Sequence, residues 1–269
     1  MKLNIRDRSA RTDWSPWQRA VFLPLVLALA IGFVVMVAYG KPRTVTTPPR
    51  PAKSVLYIGD SLSVGKFGEV LRNYLIANFD ARNVAVYASC GSSPEHWLRA
   101  EPTFFTKCGY REQAPGRNIV IDASTHHATP KLEDLIARHH PSTVIVQLGT
   151  NWMDRIASGD TPQKEAELSS ILDRFAAALR SQSRVKIIWI TPPDSSHFNQ
   201  RVQRAVASLL RNAANRNHFE SIDSRDLTHY TPGKTGHDGV HYNSEASTEW
   251  ANRVVRRLKY RLGWEGMAY

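Results

Sequence analysis

Ser54-Val55-Leu56-Tyr57-Ile58-Gly59-Asp60-Ser61-Leu62-Ser63 is the stretch from which the architecture follows. Its first half is a short apolar run of the kind a fully buried strand carries, and Gly59 ends it. Past it the period changes. Val64, Phe67, Val70, Leu71 and Leu75 recur at helical spacing through residues 63–79.

The same alternation continues along the chain. Apolar runs at 83–87, 143–148 and 185–190, with a weaker one at 219–223, read as strands. Helical patterns occupy 163–182, 198–216 and 244–261, with a shorter one near 131–139. β-Branched runs that alternate with helices predict an α/β domain with a mainly parallel sheet covered on both faces. Residues 92–130 break the regularity. They read as an insertion over the site, with a candidate extra strand at 118–122.

Upstream, residues 20–40 form an uncharged apolar stretch, long enough for the ~20 residues a membrane-spanning helix needs. The expected organisation is a cytoplasmic leader at 1–19, an uncleaved anchor at 20–40 and a proline-rich linker at 41–53. A catalytic domain follows at 54–269. A cleaved secretion signal is the competing reading, since Ala38-Tyr39-Gly40 offers small residues to a peptidase. A short leader before a long domain favours a single-pass inner-membrane protein whose domain lies outside the cytoplasm.

The composition fits that address. An apolar content of 42% suits a well-buried core. The net charge is +11, and without the first forty residues 30 basic side chains still face 22 acidic ones, a surplus of +8. That surplus favours contact with anionic lipid or acidic polymers, but a solvated basic surface is the leading reading. No basic motif interleaved with aromatics points to nucleic acid. Cys90 and Cys108 are the two cysteines, and an oxidising compartment would preserve a bridge between them. Two buried free thiols are the alternative.

Three segments follow strand ends: Ser61 after the first, Gly91 after the second, and Gly149-Thr150-Asn151 after the third. In open parallel sheets the site lies beyond the carboxyl ends of the strands, so these residues should converge. A serine after Gly-Asp is by itself an ordinary turn or helix cap. Asp238-Gly239-Val240-His241 changes its meaning, because a separation of three lets the carboxylate hold one imidazole nitrogen while the other faces a hydroxyl. Ser61 is thus the candidate nucleophile, His241 the base and Asp238 its orienter. The Ser61 amide, the Gly91 amide and the Asn151 side chain are candidate oxyanion donors. Trp97 and Trp152 adjoin these segments and are weaker candidates for the pocket wall. His126-His127 and His139-His140 lack companions at metal-ligand spacing, so no metal is expected.

In this order, Gly59-Asp60-Ser61-Leu62, Gly91, Gly149-Thr150-Asn151 and Asp238-Gly239-Val240-His241 resemble the four blocks of the SGNH hydrolases, a branch of the GDSL esterase/lipase superfamily. The resemblance spans roughly residues 54–262. It implies a three-layer α/β/α fold with a flavodoxin-like sheet and double displacement without metal or cofactor. The expected substrate is an acylated carbohydrate or another small ester, with acetyl foremost among the acyl groups. Alternatives are an O-acyltransferase that uses the same triad and a tethered glycan-binding protein without turnover.

Overall fold

Strand β1 (Val55–Gly59) lies at the middle of a seven-stranded sheet, buried along its whole length. The computed structural model describes residues 53–262 except 107, 123–124, 160 and 182–184. After β1 come helices α1 (Ser61–Val64) and α2 (Lys66–Asn78) and strand β2 (Val84–Ser89). The former insertion holds β3 (Phe105–Thr106), β4 (Tyr110–Ala114), β5 (Arg117–Ile121) and β6 (His127–Ala128). Then follow α3 (Leu132–His139), β7 (Thr143–Gln147), α4 (Met153–Ala157), α5 (Thr161–Leu179) and β8 (Lys186–Ile190). The chain continues through α6 (Gln200–Arg216), β9 (Glu220–Ile222) and α7 (Ser244–Leu262).

The order across the sheet is β5-β4-β2-β1-β7-β8-β9. Counting only the five parallel strands, the chain order 2-1-3-4-5 emerges, which is the flavodoxin-like arrangement. Alternation along each strand divides the core. Leu56, Ile58, Tyr87, Val144 and Val146 pack with α3, α4, α5 and α6 on one face. Val55, Tyr57, Val86, Ile145 and Ile188 pack with α2 and α7 on the other. The result is three layers, α/β/α.

The insertion departs from expectation. Residues 110–121 do not lie over the site. They form an antiparallel hairpin that extends the sheet beyond β2, with Ser89 opposite Tyr110 and Ala114 opposite Arg117. Tyr110 and Glu112 turn inward, whereas β5 carries exposed Arg117 and Asn118 along the open edge, a common way to block further strand pairing. The 118–122 strand was legible from its apolar run. Its partner Tyr110-Arg111-Glu112-Gln113-Ala114 was not, because it has no β-branched residue.

Among the described residues no helix is long and apolar enough to cross a membrane. The expected leader, the anchor and the linker up to residue 52 lie outside the described residues.

Candidate active site

Asp60 starts the site by capping a helix. Its backbone is extended, and its Oδ1 accepts the Leu62 N–H at 3.1 Å, so α1 begins at Ser61 just past the end of β1. This turn puts the Ser61 hydroxyl at the carboxyl edge of the sheet. The Ser61 amide, in the first helical turn, forms no hydrogen bond to any described residue.

The second half of the site is a loop shaped by Asp238. Its Oδ1 accepts from the amides of Val240 (2.9 Å) and His241 (2.7 Å), and its Oδ2 lies 2.6 Å from His241 Nδ1. Gly239 permits the turn: its φ is +82°, and a β-carbon there would stand 2.8 Å from the His197 amide nitrogen. Tyr230 pins the loop by accepting the Gly239 N–H at 3.0 Å and donating to the His241 carbonyl at 3.3 Å. Ser195 Oγ adds a bond to the Gly239 carbonyl at 2.6 Å.

His241 Nε2 reaches Ser61 Oγ at 3.0 Å across 180 residues of chain. Because a carboxylate only accepts, the Asp238 contact fixes the proton on Nδ1 and leaves the Nε2 lone pair for the serine hydroxyl. Partial burial pushes the Asp238 carboxyl up. Hydrogen bonds from the His241 ring and from the His241 and Val240 amides outweigh it and hold the group down at about 2. The pair stays open to solvent, with the His241 and Asp238 side chains 51% and 54% exposed, so a bulky substrate has access.

Gly91 and Asn151 complete the set. Gly91 has φ +79°, a conformation that turns its N–H out of the β2 ladder, and no described residue accepts that N–H. Asn151 Nδ2 donates one hydrogen to the Ser92 carbonyl at 2.8 Å, which orients the amide. The Phe104 ring stands 3.5 Å from where a Gly91 β-carbon would be, and His96 stacks on it with centroids 4.0 Å apart. Of the insertion, this 92–104 segment is the part that borders the site. Lys131 Nζ holds it by donating to the carbonyls of His96, Glu101 and Pro102. The bridge between Cys90 and Cys108 is formed, immediately before Gly91.

Trp97 and Trp152 do not line the pocket. Both are fully buried in the core, and their indole N–H groups donate inward, to Ser92 Oγ at 3.1 Å and Glu95 Oε2 at 2.9 Å. Proximity in sequence misled because both belong to short helical turns whose apolar side faces the sheet. One histidine of each pair is a packing partner: His127 stacks on Tyr110 and His139 Nε2 meets Tyr87 OH at 2.8 Å.

Asp60 is a feature that the sequence reading passed over. It is fully buried, and burial raises its carboxyl to about 6 against the pull of the Leu62 amide and of Thr150 and Gln147. Its Oδ2, Thr150 Oγ1 and Gln147 Nε2 each lack a hydrogen bond that meets ordinary geometry, so that pull is only a partial offset. Beneath it, Tyr57 OH lies 2.5 Å from Ser63 Oγ, which donates to Gln147 Oε1 at 2.6 Å.

The family described as GDSL-like Lipase/Acylhydrolase matches residues 55–254, a span that contains every element of this site. The chain belongs to the GDSL-like lipase/acylhydrolase family. This GDSL-like acylhydrolase is accordingly an ester-hydrolysing serine hydrolase. Comparison with curated protein sequences finds no significant match.

Solved structures share the fold. A carbohydrate acetylesterase family member from Sinorhizobium meliloti superposes with a TM-score of 0.52 at 17% identity, covering 78% of the GDSL-like chain and 99% of its own. Est24, a carbohydrate acetylesterase from the same organism, gives 0.52 at 13% identity, with 78% and 99% covered. A putative arylesterase from Agrobacterium tumefaciens gives 0.50 at 18% identity, with 77% and 99% covered.

Proposed function

We propose that the chain removes small acyl groups, acetyl foremost, from carbohydrate of the cell envelope or its surroundings, by way of an acyl-enzyme on Ser61. The contact that carries this reading is His241 Nε2 at 3.0 Å from Ser61 Oγ, with Nδ1 held by Asp238. Ser61 Oγ bonds to the ester carbonyl carbon while its proton passes to His241 Nε2. The Ser61 and Gly91 amides and the second Asn151 N–H would donate to the oxygen as it becomes negative. The bond to the sugar oxygen then breaks, and His241 returns the proton to that oxygen. Water repeats the sequence on the acyl-serine: His241 takes its proton, and the proton goes back to Ser61 Oγ as the acid leaves.

Several features support the substrate class. The Phe104 ring stands as a wall beside Gly91, at contact distance from where a β-carbon would be, and we read it as bounding a small acyl pocket. The exposed His241–Asp238 pair suits a polymer that cannot enter a deep cleft. Two solved proteins of the same fold are described as carbohydrate acetylesterases. Open access also favours water over a sugar hydroxyl as acceptor, so hydrolysis ranks above acyl transfer. We place the domain outside the cytoplasm on a single-pass anchor at 20–40, a reading supported by the length of that apolar stretch and by the disulfide.

The test is acetate release from O-acetylated polysaccharide by the purified chain and by Ser61→Ala. The expected result is release by the first alone. Equal release by both contradicts the assignment, and acetyl transfer to added glycan in place of release assigns the chain to the acyltransferases.

A further inference from the structure

Helix α7 carries a second feature, remote from the triad. It begins three residues after His241 and runs toward the end of the sheet where the parallel strands start. Its last turn is tied there: Lys186 Nζ, on the first residue of β8, donates to the Arg261 carbonyl at 2.5 Å, and Arg261 Nη1 donates to Glu220 on the first residue of β9 at 2.8 Å. On the flank of this helix lies a cavity of about 430 Å³, lined by Asp226, Leu227, Arg253, Arg256, Arg257 and Tyr260. At a rise of 1.5 Å per residue, Arg256 is roughly 20 Å along the helix from His241.

The arginines differ in what they do. Arg253 is engaged, donating to the Leu227 carbonyl at 2.8 Å and pairing with Glu249. Arg256 and Arg257 are exposed and take part in no ion pair or hydrogen bond among the described residues. Asp226 is the one carboxylate in the lining. Tyr260, 74% exposed, stands at the rim as an apolar ring with a polar tip, the kind of side chain that settles at a membrane–water interface.

We infer that the flank of α7 around Arg256, Arg257 and Tyr260 is a docking surface for anionic phospholipid headgroups that holds the domain against a bilayer. Guanidinium groups bind phosphate in a two-pronged fashion, and anionic leaflets attract clustered arginines. This inference rests on the proposed placement of the domain at a membrane, and headgroup binding itself is measured independently of it.

The full chain is tested by flotation with vesicles of phosphatidylcholine alone or mixed with phosphatidylglycerol. A fluorophore sits at Tyr260→Cys or, at the opposite pole, at His197→Cys, and the vesicles carry a lipid-borne quencher. Quenching at position 260 but not 197, on the anionic vesicles only, reversed by salt and lost in Arg256→Glu/Arg257→Glu, is the expected result. That double variant should hydrolyse a small soluble ester at the normal rate. Flotation with neutral vesicles reports the tether. Its absence removes the tether reading but leaves headgroup docking supported, provided flotation with anionic vesicles persists and needs the two arginines. Equal quenching on both vesicle types, indifference to the double variant, or no flotation with either lipid overturns the inference. So does displacement by a soluble acidic polysaccharide at salt that leaves vesicle binding of an unrelated basic protein intact, which would assign the arginines to polymer.

Discussion

Asn151 Nδ2 donates to the Ser92 carbonyl at 2.8 Å, so one amide hydrogen sets the orientation and the other is left for substrate. An oxyanion donor of this kind acts mainly in the transition state. Asn151→Ala should therefore lower kcat about 10²–10³-fold, or about 3–4 kcal/mol, with little change in KM. Steady-state kinetics on p-nitrophenyl acetate check this. A rise in KM at constant kcat would mean that Asn151 binds ground-state substrate instead.

Asp238 should prove to be an orienter of fixed charge. Its folded-state carboxyl is depressed to about 2, below the ordinary aspartate value, so its contribution to stability is complete above about 4 and is lost as pH falls through about 2. Accepting the serine proton then falls to the neutral His241 imidazole, with Asp238 charged throughout the working range. Asp238→Asn should cut kcat about 10²–10⁴-fold and leave a measurable remnant. Steady-state kinetics on p-nitrophenyl acetate check this, and an undiminished kcat in Asp238→Asn would contradict the orienting role.

Asp60 gives the opposite sign. Burial raises its carboxyl to about 6, so the folded chain binds that proton more tightly than the unfolded chain does. The associated stability is full below about 4 and falls as pH rises through about 6. Between pH 4 and 8 this amounts to roughly 2–3 kcal/mol that Asp60→Asn, neutral throughout, should not lose. Denaturant unfolding of both proteins at the two pH values measures the difference. Parallel pH slopes would show that Asp60 ionises without cost in the fold.

The contrast between Asp238 and Asp60 marks how far the sequence could be read. Asp238 and His241 are three apart, and the turn they build is local, so their pairing was visible without coordinates. The parallel sheet was visible too, because strands buried on both faces must be apolar throughout, as at 143–148. Asp60 stood in plain view within the first motif, but its burial depends on Gln147 and Thr150 from a neighbouring strand and turn. Tyr110 to Ala114 escaped notice because an edge hairpin tolerates arginine and glutamine. Trp97 and Trp152 were drawn toward the pocket by adjacency alone, and sequence spacing does not tell which way a turn faces.

The disulfide should matter to both stability and turnover. Cys90 precedes Gly91, and the bridge to Cys108 closes a loop with a separation of 18 residues. In the chain-entropy account such a loop contributes about 3 kcal/mol. Cys90→Ser/Cys108→Ser should unfold at correspondingly lower denaturant and show reduced kcat, since the Gly91 amide loses its brace. An unchanged kcat beside lowered stability would separate the bridge from the oxyanion donor.

The meeting of positions 61 and 241 is tested most directly by fluorophosphonate labelling followed by peptide mass analysis. The phosphonyl group should appear on Ser61, with labelling abolished in Ser61→Ala and slowed by orders of magnitude in His241→Ala. Label on a different side chain, or an undiminished rate in His241→Ala, would contradict the account.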